Sequence, residues 1–130
     1  MIDFKNKKIL ITGATGGIGN ALVKKFISLG GNVVGTGTKV EKLDELKKSS
    51  EKIKVKKFDI SQHDKIEEFI DNAQLELEGL DILINNAGIN VDNLSLRMKD
   101  DEWTKFIDIN LTSTFLITKY AIKNMLKNKF

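Results

Sequence analysis

Lys8-Ile9-Leu10-Ile11-Thr12-Gly13-Ala14-Thr15-Gly16-Gly17-Ile18-Gly19 begins as a strand and turns through glycines into a helix. The run KILIT, Lys8 to Thr12, is short and apolar, as a buried strand is. From Ile18 the period changes: Ile18, Leu22, Phe26 and Leu29 recur at helical spacing until Gly30-Gly31 stop them. A glycine turn at this junction leaves the first helical N–H groups unpaired and facing outward, where phosphate oxygens can accept from them. Gly13 suits the tight turn off the strand, and Gly17 and Gly19 keep Cβ atoms away from a pyrophosphate and from the sheet. The spacing is G-x-x-x-G-x-G, so the G-x-G-x-x-G dinucleotide loop is matched in mechanism and context only. A Walker loop is excluded because no Gly-Lys-Ser/Thr follows.

Outward from this junction the alternation continues. Asn32 to Thr36 (NVVGT) predicts a second strand, and Val40, Leu43 and Leu46 line a short helix that ends near Ser49-Ser50. Ile53 to Phe58 predicts the third strand. Ser61 with Asp64 forms a capping-box-like start to the next helix, whose buried stripe is Ile66, Phe69, Ile70, Ala73 and Leu77. Leu80 to Ile84 predicts a fourth strand, nearly all apolar, as expected of a parallel strand covered on both faces. A loop with a short turn spans Asn85 to Lys99. A long helix then runs from about Asp101 to Lys127, with Trp103, Phe106, Ile107, Leu111, Phe115, Ile122, Met125 and Leu126 on its apolar side. Repeated strand and helix imply right-handed crossovers on a parallel sheet.

The chain has 130 residues, a length suited to one domain, and 41% of them are hydrophobic. No segment approaches the roughly 20 apolar residues of a membrane helix. Met1-Ile2-Asp3-Phe4-Lys5 does not begin an export signal, and cysteine is absent, so a soluble cytoplasmic protein without disulfides is expected. The net charge of +3 comes from lysines and a single arginine, Arg97, spread along polar helix faces. With no interleaved aromatics this is a solvated surface rather than a nucleic-acid site, although a positive field favours an acidic carrier protein. No metal site is expected.

The C-terminal ends of the strands hold the remaining chemistry. A carboxylate after the second strand would accept hydrogen bonds from a free ribose 2′-hydroxyl and repel a 2′-phosphate. Here the sequence is Gly35-Thr36-Gly37-Thr38-Lys39, with no acid before Glu41, which favours NADP over NAD. Thr38 and Thr36 offer hydroxyls, and Lys39 offers charge or is a solvent-facing first-turn lysine. Asp59, followed by Ile60, is either an acceptor for the adenine amino group or a turn-forming residue. Asn85-Asn86-Ala87-Gly88 has the small side chains that let backbone pass a ribose, and it also has the composition of a plain turn. Asn110 falls among Phe106, Ile107, Leu111 and Phe115, so its amide is expected to be partly buried and to need partners, structural or in a proton path.

These residues resemble the short-chain dehydrogenase/reductase family, and within it the bacterial 3-oxoacyl-[acyl-carrier-protein] reductases. The resemblance rests on TGATGGIG from Thr12 to Gly19, DILINNAGI from Asp81 to Ile89, DNLSLRMKDDEW from Asp92 to Trp103, and DINLTSTF from Asp108 to Phe115. It implies a Rossmann-type doubly wound parallel sheet, three layers α/β/α, truncated after the fourth β-α unit and occupying residues 1–130. It implies NADP(H), with Gly13, Gly17 and Gly19 at the pyrophosphate turn and Thr38 near the 2′-phosphate, and Thr12, Thr15, Gly16, Ile18, Thr36 and Lys39 are expected in the same cofactor-binding set. Asp59 and Ile60 would take the adenine, and Asn86, Ala87 and Gly88 would lie by the ribose, with Asn85 stabilising the central sheet. Asn110 would hold a water in the proton relay.

Where many NADP-preferring relatives have Arg, this chain has Gly16. The family's catalytic Ser and Tyr-x-x-x-Lys pair would follow Phe130, so the chain is expected to be the inactive front portion of a homotetrameric reductase acting on an acyl carrier protein thioester. Tyr120 and Lys123 have the wrong spacing for that pair and are expected on the helix exterior.

Overall fold

The computed structural model describes residues 2–89 and 96–127. Strands β1 (Lys8–Ile11), β2 (Asn32–Gly37), β3 (Ile53–Lys57) and β4 (Ile82–Ile84) make one sheet in the order β3-β2-β1-β4, every pairing parallel. Ile9 stands between Val33 and Ile82, and Leu10 between Val34 and Leu83. Because side chains alternate along a strand, this register divides the core into two. Ile9, Ile11 and Val33 face helices α1 (Gly17–Ser28) and α2 (Val40–Lys48) through Val23 and Leu46. Leu10 and Val34 face α3 (Ile66–Leu77) and α5 (Ser113–Lys127) through Ile70, Ala73, Ile117 and Ala121. The expected three layers are therefore present. Each fully buried Ile or Leu contributes roughly 1.5–3 kcal/mol to holding them together.

All five residues of the stripe on α3 are buried. Its entry differs from expectation. A 3₁₀ turn at His63–Lys65 precedes the helix, and Ser61 gives both its N–H (2.9 Å) and its hydroxyl (2.7 Å) to Asp59 Oδ1 instead of capping with Asp64. Stacking of Phe58 on Phe69, with centroids 4.2 Å apart, anchors the end of β3 to the helix.

On α1 the buried face is Gly19 and Val23, with Leu22 and Phe26 half-buried. Ile18 and Leu29 of the expected stripe lie outside it, Ile18 at 71% exposure. The cause is close packing: α1 starts so near the glycine turn that only Gly19 fits on its inner side.

The last helical stretch begins with α4 (Asp100–Ile107) and is interrupted by a π turn at Asp108–Thr112 before α5. A continuous α-helix was expected. The inner face of α5 carries Ser113, Ile117, Ala121 and Asn124, whereas Leu111, Phe115, Ile122 and Leu126 are exposed. Spacing identified residues that share a face, but the opposite face, Ser113, Ile117, Ala121 and Asn124, is the one that meets the core. Lys123 is exterior as expected and pairs with Glu67 at 3.0 Å, while Tyr120 is half-buried against the core.

The β3 edge is charged, with Lys54 and Lys56 reaching Glu76. The β4 edge is apolar, Ile82-Leu83-Ile84, and among the described residues pairs only with β1.

Candidate functional site

A cleft of about 210 Å³ opens along the C-terminal ends of all four strands. The turn off β1 supplies its floor. Gly13 has φ +63°, and a Cβ there would sit 2.9 Å from Ala87 Cα, so no side chain fits between the turns that follow β1 and β4. A Cβ on Gly19 would overlap the Gly13 carbonyl oxygen. At Gly17, in contrast, a Cβ would meet nothing within 4 Å, and this open side of the α1 N-terminus is where a pyrophosphate can lie on the helix amides.

Gly13, Thr15, Thr36, Thr38, Asp59, Ile60, Ala87 and Gly88 of the expected set line the cleft. Gly16, Gly17 and Ile18 stand exposed at its helix-side rim, and Lys39 is exposed beside Thr38 without lining it. Thr12, Gly19 and Asn86 are scaffold beneath it. The Thr12 hydroxyl accepts from the backbone N–H groups of Asn86 (3.1 Å) and Ala87 (3.0 Å), and Asn86 Nδ2 donates to the Gly13 carbonyl at 3.0 Å. Asn86 thus performs the bracing that the resemblance gave to Asn85. Asn85 instead donates to Thr118 on α5 at 3.0 Å and is exposed.

Asn110 is half-buried in the π turn. Its Oδ1 accepts from the Ile89 N–H (3.0 Å), while Nδ2 donates to the Ile89 carbonyl (2.9 Å) and to the Phe106 carbonyl (3.1 Å). The amide therefore finds structural partners: it clamps the backbone just beyond Asn85-Asn86-Ala87-Gly88. A Cβ on Gly88 would strike Asn110 Oδ1, so the small residue at this position is required by the clamp.

Asp59 has both features the sequence left open. Its Oδ1 makes the turn with Ser61, whose N–H and hydroxyl, with a smaller contribution from Lys105, hold the carboxyl below its ordinary value. The residue also lines the cleft, ionised near neutral pH. Thr36 is 1% exposed, and its hydroxyl has no hydrogen-bond partner. A buried hydroxyl without a partner costs roughly 1–3 kcal/mol, so one in a cleft wall fits a polar ligand that completes it. Together with the open Gly17 side, this makes the residues present suitable for a dinucleotide.

Sequence reasoning missed the part played by Thr12 beneath the site, although a β-branched hydroxyl closing a buried strand was a signal for it. It also missed Gly37, Phe58, Ile89 and Ile109 in the lining; the first two adjoin expected residues, and nothing local reveals the last two. Of the block Asp92 to Trp103, residues 92–95 lie outside the described residues. No helix among the described residues is long and apolar enough to cross a membrane.

A glycine turn entering a helix, a parallel 3-2-1-4 sheet and a cleft over its carboxyl edge define a dinucleotide-type α/β protein. The sequence model described as short chain dehydrogenase matches residues 7–130, and the chain belongs to that family. It is 39% identical over 131 residues to the 3-oxoacyl-[acyl-carrier-protein] reductase FabG of Rickettsia conorii, covering 100% of this chain and 53% of that protein. It is 36% identical over 130 residues to nodulation protein G of Rhizobium sp. strain N33, covering 99% and 53%. A solved short-chain dehydrogenase/reductase from Brucella melitensis superposes with a TM-score of 0.88 at 34% identity, over 95% of this chain and 54% of the other. The chain thus spans about half the length of the relatives it matches.

Proposed function

We propose that residues 1–130 are the cofactor-binding portion of an NADPH-dependent, cytoplasmic reductase that converts a 3-oxoacyl-[acyl-carrier-protein] to its 3-hydroxyacyl form in fatty acid synthesis. The observation that carries the cofactor preference is the end of β2, where Gly37 stands in place of a carboxylate and Thr38 and Lys39 follow. In this reading the α1 N-terminus takes the pyrophosphate, Thr38 and Lys39 take the 2′-phosphate, Asp59 and Ile60 the adenine, and Ala87 and Gly88 the ribose. Bound NADPH supplies a hydride for the substrate's C3 ketone. Asn110, through Ile89, fixes the backbone on which the ribose rests. The proton-donating set that the family resemblance implies is a Tyr-x-x-x-Lys pair with a Ser, and the described residues of the cleft supply the cofactor grip rather than that set.

The acyl-carrier substrate is supported by the reductases named FabG among the relatives and by the net positive charge. The comparable similarity to nodulation protein G supports a second reading, an NADP-dependent reductase of another ketone. Homotetramer formation is supported by the uncovered stripe Leu111, Phe115, Ile122 and Leu126, since apolar side chains in register on one helix face are commonly covered by a partner.

Titrating the chain with NADPH and NADH tests the cofactor reading. At least tenfold tighter binding of NADPH is expected, and equal affinities overturn it. Assaying the parent enzyme on acetoacetyl thioesters against free ketones separates the two substrate readings.

A further inference from the structure

His63, the single histidine of the chain, is not part of the proposed site, yet it is tied into the turn that carries Asn110. Its Nε2 lies 3.0 Å from Ser113 Oγ and 3.1 Å from the Asp108 carbonyl oxygen. Ser113 is fully buried, and its Oγ lies 2.6 Å from the Ile60 carbonyl and 2.8 Å from the Asp108 carbonyl. Proton counting settles the donors. Both carbonyls only accept, and Ser113 has one proton. If that proton went to His63, neither carbonyl would receive a side-chain donor. With His63 carrying a proton on Nε2, the hydroxyl serves one carbonyl while the ring N–H serves Ser113 Oγ and Asp108.

The placement gives this cluster a consequence. The Asp108 carbonyl is the acceptor of the π bond from the Ser113 N–H, five residues on, so His63 and Ser113 hold the wider turn at its defining bond. Ile60 and Ile109, on the two strands of chain the cluster joins, both line the cleft. On the other side of the same turn Asn110 clamps Ile89. A π turn aims its side chains differently from an α turn.

We propose that His63 is a positioning residue: acting through Ser113, it locks the π turn in the register that aims Asn110 at Ile89 and sets the Ile60 wall of the cleft against Ile109. The consequence for cofactor affinity rests on the dinucleotide reading above; the locking of the turn does not.

The test uses the whole 130-residue chain, followed by ¹H–¹⁵N spectra and NADPH titration. In His63→Ala, the Asn110 side-chain amide and the Ile89 backbone N–H are expected to shift or broaden, with NADPH binding about tenfold weaker, the scale of one lost hydrogen bond. His63→Gln, which keeps an N–H donor at similar reach, should restore both. Ile53→Ala, a change in the other core at the start of β3, should lower stability without moving either resonance. Unmoved Asn110 and Ile89 signals in His63→Ala, or a glutamine variant no better than alanine, would overturn the proposal. If the unaltered chain binds neither NADPH nor NADH, the functional reading fails, and the resonances still decide the role of His63.

Discussion

The two walls of the cleft are built on opposite principles. On the β1–β4 side, the Thr12 hydroxyl, the Asn86 amide and the Asn110 amide are all committed to neighbouring backbone. On the β2–β3 side, the Thr36 hydroxyl is buried and unpartnered, and Thr38 and Lys39 stand exposed. The first wall is complete without a ligand, and the second is not. Stability and binding should therefore separate by wall, because removing a satisfied group costs folding energy and removing an unsatisfied one does not.

The largest effect should come from overpacking the complete wall. Gly19→Val drives a branched side chain into the Gly13 carbonyl and is expected to cost about 3 kcal/mol or more, abolishing nucleotide binding through loss of the fold; circular dichroism melts and a binding titration read both. Thr12→Val is next. It keeps the shape but leaves the Asn86 and Ala87 amides without their acceptor, at a cost of roughly 2–4 kcal/mol by urea denaturation. If it proves neutral, the two walls do not differ in the way described.

Thr36→Val reverses the sign. Replacing a buried, unpartnered hydroxyl by a methyl should leave stability unchanged or raise it by about 1 kcal/mol, while weakening dinucleotide affinity. A stability loss above about 1 kcal/mol would show that the hydroxyl is satisfied within the protein. Lys39→Ala should leave the melt within about 0.5 kcal/mol and reduce the NADPH-to-NADH affinity ratio several-fold, more at low salt than at high.

The same division explains what could be read from sequence. The buried strands and the α3 stripe were legible because a parallel strand covered on both faces is mostly apolar and Ile66, Phe69, Ile70, Ala73 and Leu77 share one helix face. The glycine turn was legible because backbone geometry leaves a residue-type signature. The outer face of α5 was not. Leu111, Phe115, Ile122 and Leu126 have a core-like period, and only the packing of α5 on the core it shares with α3 shows that Ser113, Ile117, Ala121 and Asn124 face inward. The bracing of the β1–β4 wall was equally hidden, since Thr12 to Asn86 and Ile89 to Asn110 join segments distant in sequence. Of the β2–β3 wall, Thr36, Thr38, Asp59 and Ile60 were named from the sequence because they close or follow their strands, whereas Gly37 and Phe58 were not.

The smallest effect concerns Asp59, where the two walls' principles meet in one side chain: Oδ1 is satisfied by Ser61 and the carboxylate also faces the cleft. Its folded pKa lies below the unfolded value of 3.8, so the ionised form favours folding. That contribution is fully present above the unfolded value and is lost as pH falls through the folded one. Exposure keeps it small. Asp59→Asn should therefore leave stability at pH 7 only slightly lower and flatten the acid-side dependence below about pH 4. Its effect on NADPH affinity at pH 7 should be larger than its effect on the melt, because the amide can still accept from Ser61 but no longer offers an ionised oxygen to an adenine amino group. If melt and affinity fall in equal proportion, Asp59 belongs with the complete wall, as a turn former alone.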